Sequence, residues 1–290
     1  MPLLSWILLA QAYKQVAPNG AFNSSLSWSD FERSQMGSGA AVSDRCKIGR
    51  FMAVKPFLTA NWRYLAIVNF AVDPAILVPL VPAGTELDFE NGETFVSVVG
   101  FLFLDARLLG LPIPLHRNFE EVNLRFYVRK KSADTWRRGV VFVRELVPRR
   151  AIALVAQAFY GEHYLALPMK HAVEHADSCL RVEYSWRRGR RWEALKMTGS
   201  GEPQSIPAGS HAEFITEHYW GYTRLRHGCS EYRVDHPRWR VWPAETFQLS
   251  ADIATLYGDQ FDEPLNAEPR SAFIADGSPV EVHKRRVEEL

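Results

Sequence analysis

The sequence predicts a β-rich α+β domain, a curled sheet or barrel with a few helices over it. Three observations carry this. Residues 119–130, FEEVNLRFYVRK, alternate with period 2. Val122, Leu124, Phe126 and Val128 share one face, and Glu121, Asn123, Arg125 and Tyr127 share the other, as strand geometry requires. Apolar runs such as WRYLAIVNFAV and ETFVSVVGFLFLDARL suit strands, the second a buried one. Helix signals are few and short, which fits a sheet covered by a few helices.

Along the chain, residues 13–51 are rich in Gly, Ser, Asn and Ala and follow neither period. Such a stretch buries too little apolar surface to offset the entropy of ordering it. We expect residues 1–51 to be a flexible or non-native extension and 52–290 to be the folded domain. The apolar LLSWILLA near the start has no Lys or Arg before it, which argues against a secretory leader. WRYLAIVNFAV is the first strand. Asp73 caps a short helix with Pro74 in its first turn. ETFVSVVGFLFLDARL, FEEVNLRFYVRK and RGVVFVREL follow as strands. Alanine-rich RRAIALVAQAFYG reads as a buried helix ending at Gly161. SCLRVEYSWRR and RRWEALKMT form a hairpin about Gly189. Ser210 and Glu213 make a capping box for HAEFITEHYW. SEYRVDHPRWRVW is a strand interrupted at Pro237. SADIATLYG is a short helix capped by Ser250, and SAFIADGSPVEVHK a last strand pair.

Composition narrows the function. A formal net charge of +1 supplies no field toward nucleic acid or a membrane surface. No apolar run approaches the roughly 18–20 residues of a membrane-spanning helix. Three scattered cysteines make no disulfide framework, and a reducing cytoplasm is the expected compartment.

Four constellations bear on chemistry. His171-Ala172-Val173-Glu174-His175 is a literal H-x-x-E-H, which on a helix would set two imidazoles on one zinc ion. Pro168 upstream argues against a long helix, and no metal is expected. Four arginines lie between Trp186 and Trp192, a composition found in nucleic-acid grooves. Their symmetry about Gly189 instead reads as a solvated hairpin tip. No nucleophile elbow, P-loop or dinucleotide fingerprint occurs, so His218 and His236 read as structural. Lys170 follows Leu167-Pro168-Met169, and burial in an apolar wall would free its amine to attack a carbonyl. Glu121 and Arg125 share a strand face that suits a small organic acid if it points inward. Otherwise they are a surface pair and Lys170 is solvated.

PFLTANWRYLAIVNFAVDPAILVPLVPAGTELD, FEEVNLRFYVR, RRGVVFVRELVPRRAIA, EFITEHYWGYT, EYRVDHPRW and SAFIADGSPVEV, in this order, resemble the uncharacterised YqjF-type proteins over about residues 52–284. That family is similar to the acetoacetate decarboxylase superfamily. The resemblance implies a β-barrel-like cone around a central cavity, with Glu121 matching the aromatic-x-Glu of the decarboxylases. Their signature G-R-E-x-x-G-x-P-K-K carries the Schiff-base lysine first. Anchored on Pro168, Met169 falls at that lysine, Lys170 at the second one, His163 at the glutamate and Glu162 at the arginine. A thioether forms no imine, so the resemblance supports the fold and cavity but not the decarboxylase chemistry.

Three readings follow. The first is a binder of a small anionic or carbonyl-containing molecule, with Glu121, Arg125 and Tyr127 lining the cavity and Tyr164, Met169 or Lys170 at its wall. The second is an enzyme using Lys170 after a shift of register, or Glu121 as general acid–base. The third is an interaction protein, since the related decarboxylases are oligomers. No cofactor, nucleic acid or membrane partner is expected; a homo-oligomer is a further implication of the resemblance.

Overall fold

The computed structural model describes residues 55–113, 116–133, 135–150 and 163–288. The expected extension over 1–51 lies outside them, as does nearly all of the expected helix ending at Gly161. Strands form where the apolar runs stand. β1 spans Leu58–Val72, β2 Glu86–Leu87, β3 Thr94–Leu108, β4 Leu111–Pro112, β5 Phe119–Ser132 and β6 Thr135–Val147. There follow β7 (Tyr164–Ala166), β8 (Met169–Ala176), β9 (Cys179–Arg188), β10 (Arg191–Ser200) and β11 (Gln204–Ser205). The last are β12 (Trp220–Leu225), β13 (Gly228–Asp235), β14 (Arg240–Ser250), β15 (Ser271–Val282) and β16 (Arg286–Glu288).

The meander β1–β3–β5–β6 is antiparallel throughout. β12 joins β6 in parallel, and β13 pairs with β12. On the other side β15 pairs with β1, then β14, β10, β9 and β8 follow. β13 also pairs with β15, at Val234↔Val282 and Asp235↔Glu281. Strands β1, β3, β5, β6, β12, β13 and β15 therefore form a circuit in which each pairs with the next and the last with the first.

Local signals explain the helices. α1 (Pro74–Leu77) begins as expected: Asp73 Oδ1 accepts from the Ala75 amide at 2.8 Å. α2 (His211–Thr216) has Ser210 Oγ accepting from the Glu213 amide at 3.3 Å, while the Glu213 carboxylate takes the Gly209 amide at 2.6 Å. α3 (Ile253–Tyr257) is capped by Asp252, which accepts from the Thr255 amide at 3.2 Å. Ser250 is not the cap; it ends β14. α4 covers Asp262–Asn266. The final segment is one strand, β15, rather than a pair: Gly277, at φ +79°, lets it bend without turning back. The carbonyl oxygen of Trp62 packs where a side chain would start, 2.1 Å from an ideal Cβ.

Both faces of the central sheet are buried. Val122, Leu124, Phe126 and Val128 of β5 join a core with Leu180, Val182, Tyr184 and Trp186 of β9. The opposite, polar face lies against Phe95, Val99, Phe101 and Phe119, with Phe214 and Ile215 of α2 and Trp239 over it. Burial of this area at about 25 cal/mol per Å² drives the assembly. A strand that alternates apolar and polar usually faces core and water; here it faces two cores.

Candidate functional site

The polar face of β5 gathers charged groups that its neighbours keep from water. Register sets Val99, Asn123 and Glu145 side by side, with Ser97, Arg125 and Phe142 in the next row and Glu121 beside Phe101. Relative exposures are 3% for Glu121, 2% for Asn123, 9% for Arg125 and 1% for Glu145, which excludes a solvated surface pair. Tyr164 of β7, next to Glu145 in parallel register, is half-buried and packs on the same face.

Each group has a definable environment. Asn123 Nδ2 donates to Glu121 Oε1 at 3.0 Å. Arg125 Nη2 donates to the Ile215 carbonyl oxygen at 3.4 Å, and the guanidinium carbon lies 5.7 Å from the Tyr127 ring centroid. Among the described residues Arg125 Nε and Asn123 Oδ1 are buried without a hydrogen-bond partner, and Arg125 makes no ion pair. Tyr127 Oη is 2.5 Å from Ser97 Oγ; Ser97 donates at 2.5 Å to Asn69 Oδ1, and Asn69 Nδ2 donates to Ser271 at 2.8 Å. That chain holds the Tyr127 ring in place.

Beside Tyr127 lies His218, its side chain 1% exposed and its ring 4.7 Å from the Tyr127 ring. Its Nε2 is 3.2 Å from Asp88 Oδ2, which also accepts from Arg138 Nε at 2.6 Å. The Nδ1 of His218 is buried with no partner among the described residues. Burial pushes the imidazole pKa down to about 4, although the bond to Asp88 works the other way. Burial alone would raise the Asp88 carboxyl; the bonds from His218 and Arg138 outweigh it and hold the pKa below its ordinary value. An imidazole with one nitrogen fixed on a carboxylate and the other bare is an acceptor at neutral pH.

The structure thus brings Glu121, Arg125, Tyr127 and Tyr164 together, and places the other two elsewhere. Met169 is half-buried against the core on the apolar side of β5. Lys170 is exposed, its Nζ 4.7 Å from the ring centroid of Trp192, itself 47% exposed. H-x-x-E-H lies on strand β8, where four residues span about 13 Å. His171 Nδ1 meets Glu120 at 2.6 Å, Glu174 pairs with Arg181 at 3.3 Å, and His175 packs on Tyr64. Arg188 of the arginine-rich hairpin bonds Glu193 and Asp252. Among the described residues one group, Asp235, Glu281 and His283, could hold a metal ion. The Arg233 guanidinium, 2.6 Å from Asp235 Oδ2, already supplies the positive charge there.

Sequence reasoning passed over Glu145 and Asp88 and left His218 a structural histidine. Glu145 carried a signal, a lone carboxylate within VVFVREL, next to Asn123 once β5 and β6 pair. Asp88 carried none.

Comparison with known proteins bears on the fold. The model of the DUF2071 family, described as an uncharacterized conserved protein, matches residues 59–279. The uncharacterized protein YqjF of Bacillus subtilis (strain 168) is 29% identical over 200 residues, covering 67% of this chain and 78% of YqjF. The crystal structure of acetoacetate decarboxylase from Legionella pneumophila superposes with a TM-score of 0.56 at 13% identity, over 92% of this chain and 98% of that one. The enduracididine biosynthesis enzyme MppR, complexed with pyruvate, gives 0.56 at 13% identity, over 82% and 93%. At such identities the likeness is one of fold, and the fold resembles that of acetoacetate decarboxylase.

Proposed function

The chain belongs to the DUF2071 family of uncharacterized conserved proteins, and on that footing we propose that it binds a small anionic or carbonyl-containing molecule against the polar face of β5. The observation that carries this is Arg125. Arg125 is 9% exposed, and among the described residues its Nε has no partner and its one hydrogen bond is long. A charge withdrawn from water without a partner costs several kcal/mol. A ligand carboxylate would offset that cost and suits the planar fork of guanidinium donors. In this reading the circuit of seven strands is a barrel-like cone enclosing a cavity, with Asn123 beside Arg125, Tyr127 beneath it and Tyr164 at the wall.

Binding is non-covalent. With Pro168 aligned to the decarboxylase signature, Met169 stands at the Schiff-base position, and a thioether forms no imine. Lys170 faces solvent over Trp192. The pyruvate held by MppR, on a fold of the same kind, favours a short oxo acid. A second reading keeps the site and adds catalysis: Glu121, 3% exposed and bonded to Asn123, would act as general acid–base on the bound molecule.

Calorimetric titration of the purified chain with short carboxylic and oxo acids, and with their amides, tests the proposal. Acids should bind, amides should not, and Arg125→Met should weaken acid binding about tenfold or more. Failure of every acid to bind, or an Arg125→Met protein of unchanged affinity, would sink it.

A further inference from the structure

We propose that His218 is a second binding residue of this site, its Nδ1 accepting a hydrogen bond from a hydroxyl group on the acid, so that the ligands are hydroxy acids rather than plain carboxylates. The inference rests on the reading of Arg125 as the anion-binding group.

The argument begins from the orphaned nitrogen. His218 Nδ1 is buried and has no partner among the described residues, while Nε2 is held by Asp88. Asp88 Oδ2, 3.2 Å away, takes the Nε2 hydrogen. Asp88 is itself fixed, by Arg138 Nε at 2.6 Å and through its backbone amide, which donates to the Tyr127 carbonyl at 3.0 Å. The hydrogen on Nε2 leaves Nδ1 a bare lone pair. With the side chain 1% exposed, bulk water does not serve that lone pair. A buried acceptor left unserved costs about as much as a lost hydrogen bond, so a donor from outside the chain is the economical partner.

The lone pair and Arg125 sit around one side chain. The guanidinium is 5.7 Å from the centroid of the Tyr127 ring and the imidazole 4.7 Å from it. Burial opposes protonation of His218 most strongly; the bond to Asp88 works the other way, and the positive charges of Arg138 and Arg125 add to the effect of burial. The imidazole therefore stays neutral and accepts. The same two charges disfavour an ammonium as the donor. A neutral hydroxyl meets both demands: it donates to Nδ1 and brings no charge, while its own carboxylate pairs with Arg125.

Matched ligands decide the matter: lactate against propionate, 3-hydroxybutyrate against butyrate and malate against succinate, with the O-methyl ethers and the corresponding amino acids alongside. Hydroxy acids should bind the full chain roughly tenfold or more tightly than their deoxy or methyl-ether counterparts. His218→Gln can keep the bond to Asp88 but has no group at Nδ1. It should abolish that preference, so that hydroxy and deoxy acids bind with equal affinity, whereas Arg125→Met should weaken all acids alike and keep the preference. Nitrogen-15 spectra of the wild-type protein provide a readout that needs no variant. Free His218 should show the Nε2–H tautomer, and its Nδ1 resonance should move on adding a hydroxy acid and stay put with the deoxy acid. Equal affinity for hydroxy and deoxy acids, tighter binding of amino acids, or an unmoved Nδ1 resonance overturns this inference and leaves the anion site standing. A panel in which no acid binds overturns both.

Discussion

His218 Nε2 lies 3.2 Å from Asp88 Oδ2, joining residues 130 positions apart in the chain. The pair sits beneath α2, with Arg138 on the carboxylate and the Phe214 ring 5.4 Å from the imidazole. It ties the loop after β2 to the loop after α2, so the cover over the polar face of β5 is anchored by a buried neutral histidine.

That burial makes stability depend on pH. The folded imidazole pKa is lowered to about 4 against an ordinary value of 6.5. Between those values the unfolded chain binds the extra proton, so unfolding free energy rises with pH across the window. Acidifying from pH 6.5 to 4 should remove roughly 3 kcal/mol from this group. His236, whose pKa burial also lowers, acts in the same sense. Urea unfolding at several pH values checks this. A His218→Gln protein with the same slope as wild type would contradict the assignment.

Arg125→Met should raise the stability of the ligand-free protein, or leave it unchanged, while weakening acid binding about tenfold or more. The guanidinium makes one long hydrogen bond and no ion pair among the described residues, and a fitting apolar side chain removes the cost of burying its charge. A loss of more than about 2 kcal/mol in denaturant unfolding would mean that Arg125 is structural.

Gly277→Ala should destabilise the domain far more than Gly84→Ala. Both glycines have positive φ, +79° and +77°. Nothing lies within 4 Å of a Cβ at Gly84, whereas the Trp62 carbonyl oxygen is 2.1 Å from one at Gly277. Backbone strain alone costs about 1–2 kcal/mol, and the collision adds to it only at Gly277. Equal losses in thermal unfolding would show that β15 relaxes around the new methyl group.

Lys170→Ala should leave ligand affinity unchanged and cost less than about 1 kcal/mol, the worth of an exposed contact with Trp192. Borohydride treatment with β-keto acids, followed by mass spectrometry, should find no adduct on Lys170. A trapped adduct there would restore the covalent reading.

The local signals were legible. The alternation of β5, the cap at Asp73, the hairpin about Gly189 and the Ser210 capping box all follow from residues within a few positions of one another. The nearby errors are also local: Asp252, not Ser250, caps α3, because two acceptors stood close together and letters alone do not rank them. Glu121, Arg125 and Tyr127 were picked out as one strand face, and Tyr164 joins them.

What the sequence by itself determined is which side chains share a face. Period 2 is a property of the backbone and needs no partner. Tertiary structure alone decided what covers each face. Pairing of β13 with both β12 and β15 and the placing of α2 over β5 put Glu121 and Arg125 out of water, and set Asp88 against His218. Alternation of polar and apolar residues is the same whether the polar side meets solvent or a second core. Only contacts between residues far apart in the chain distinguish the two.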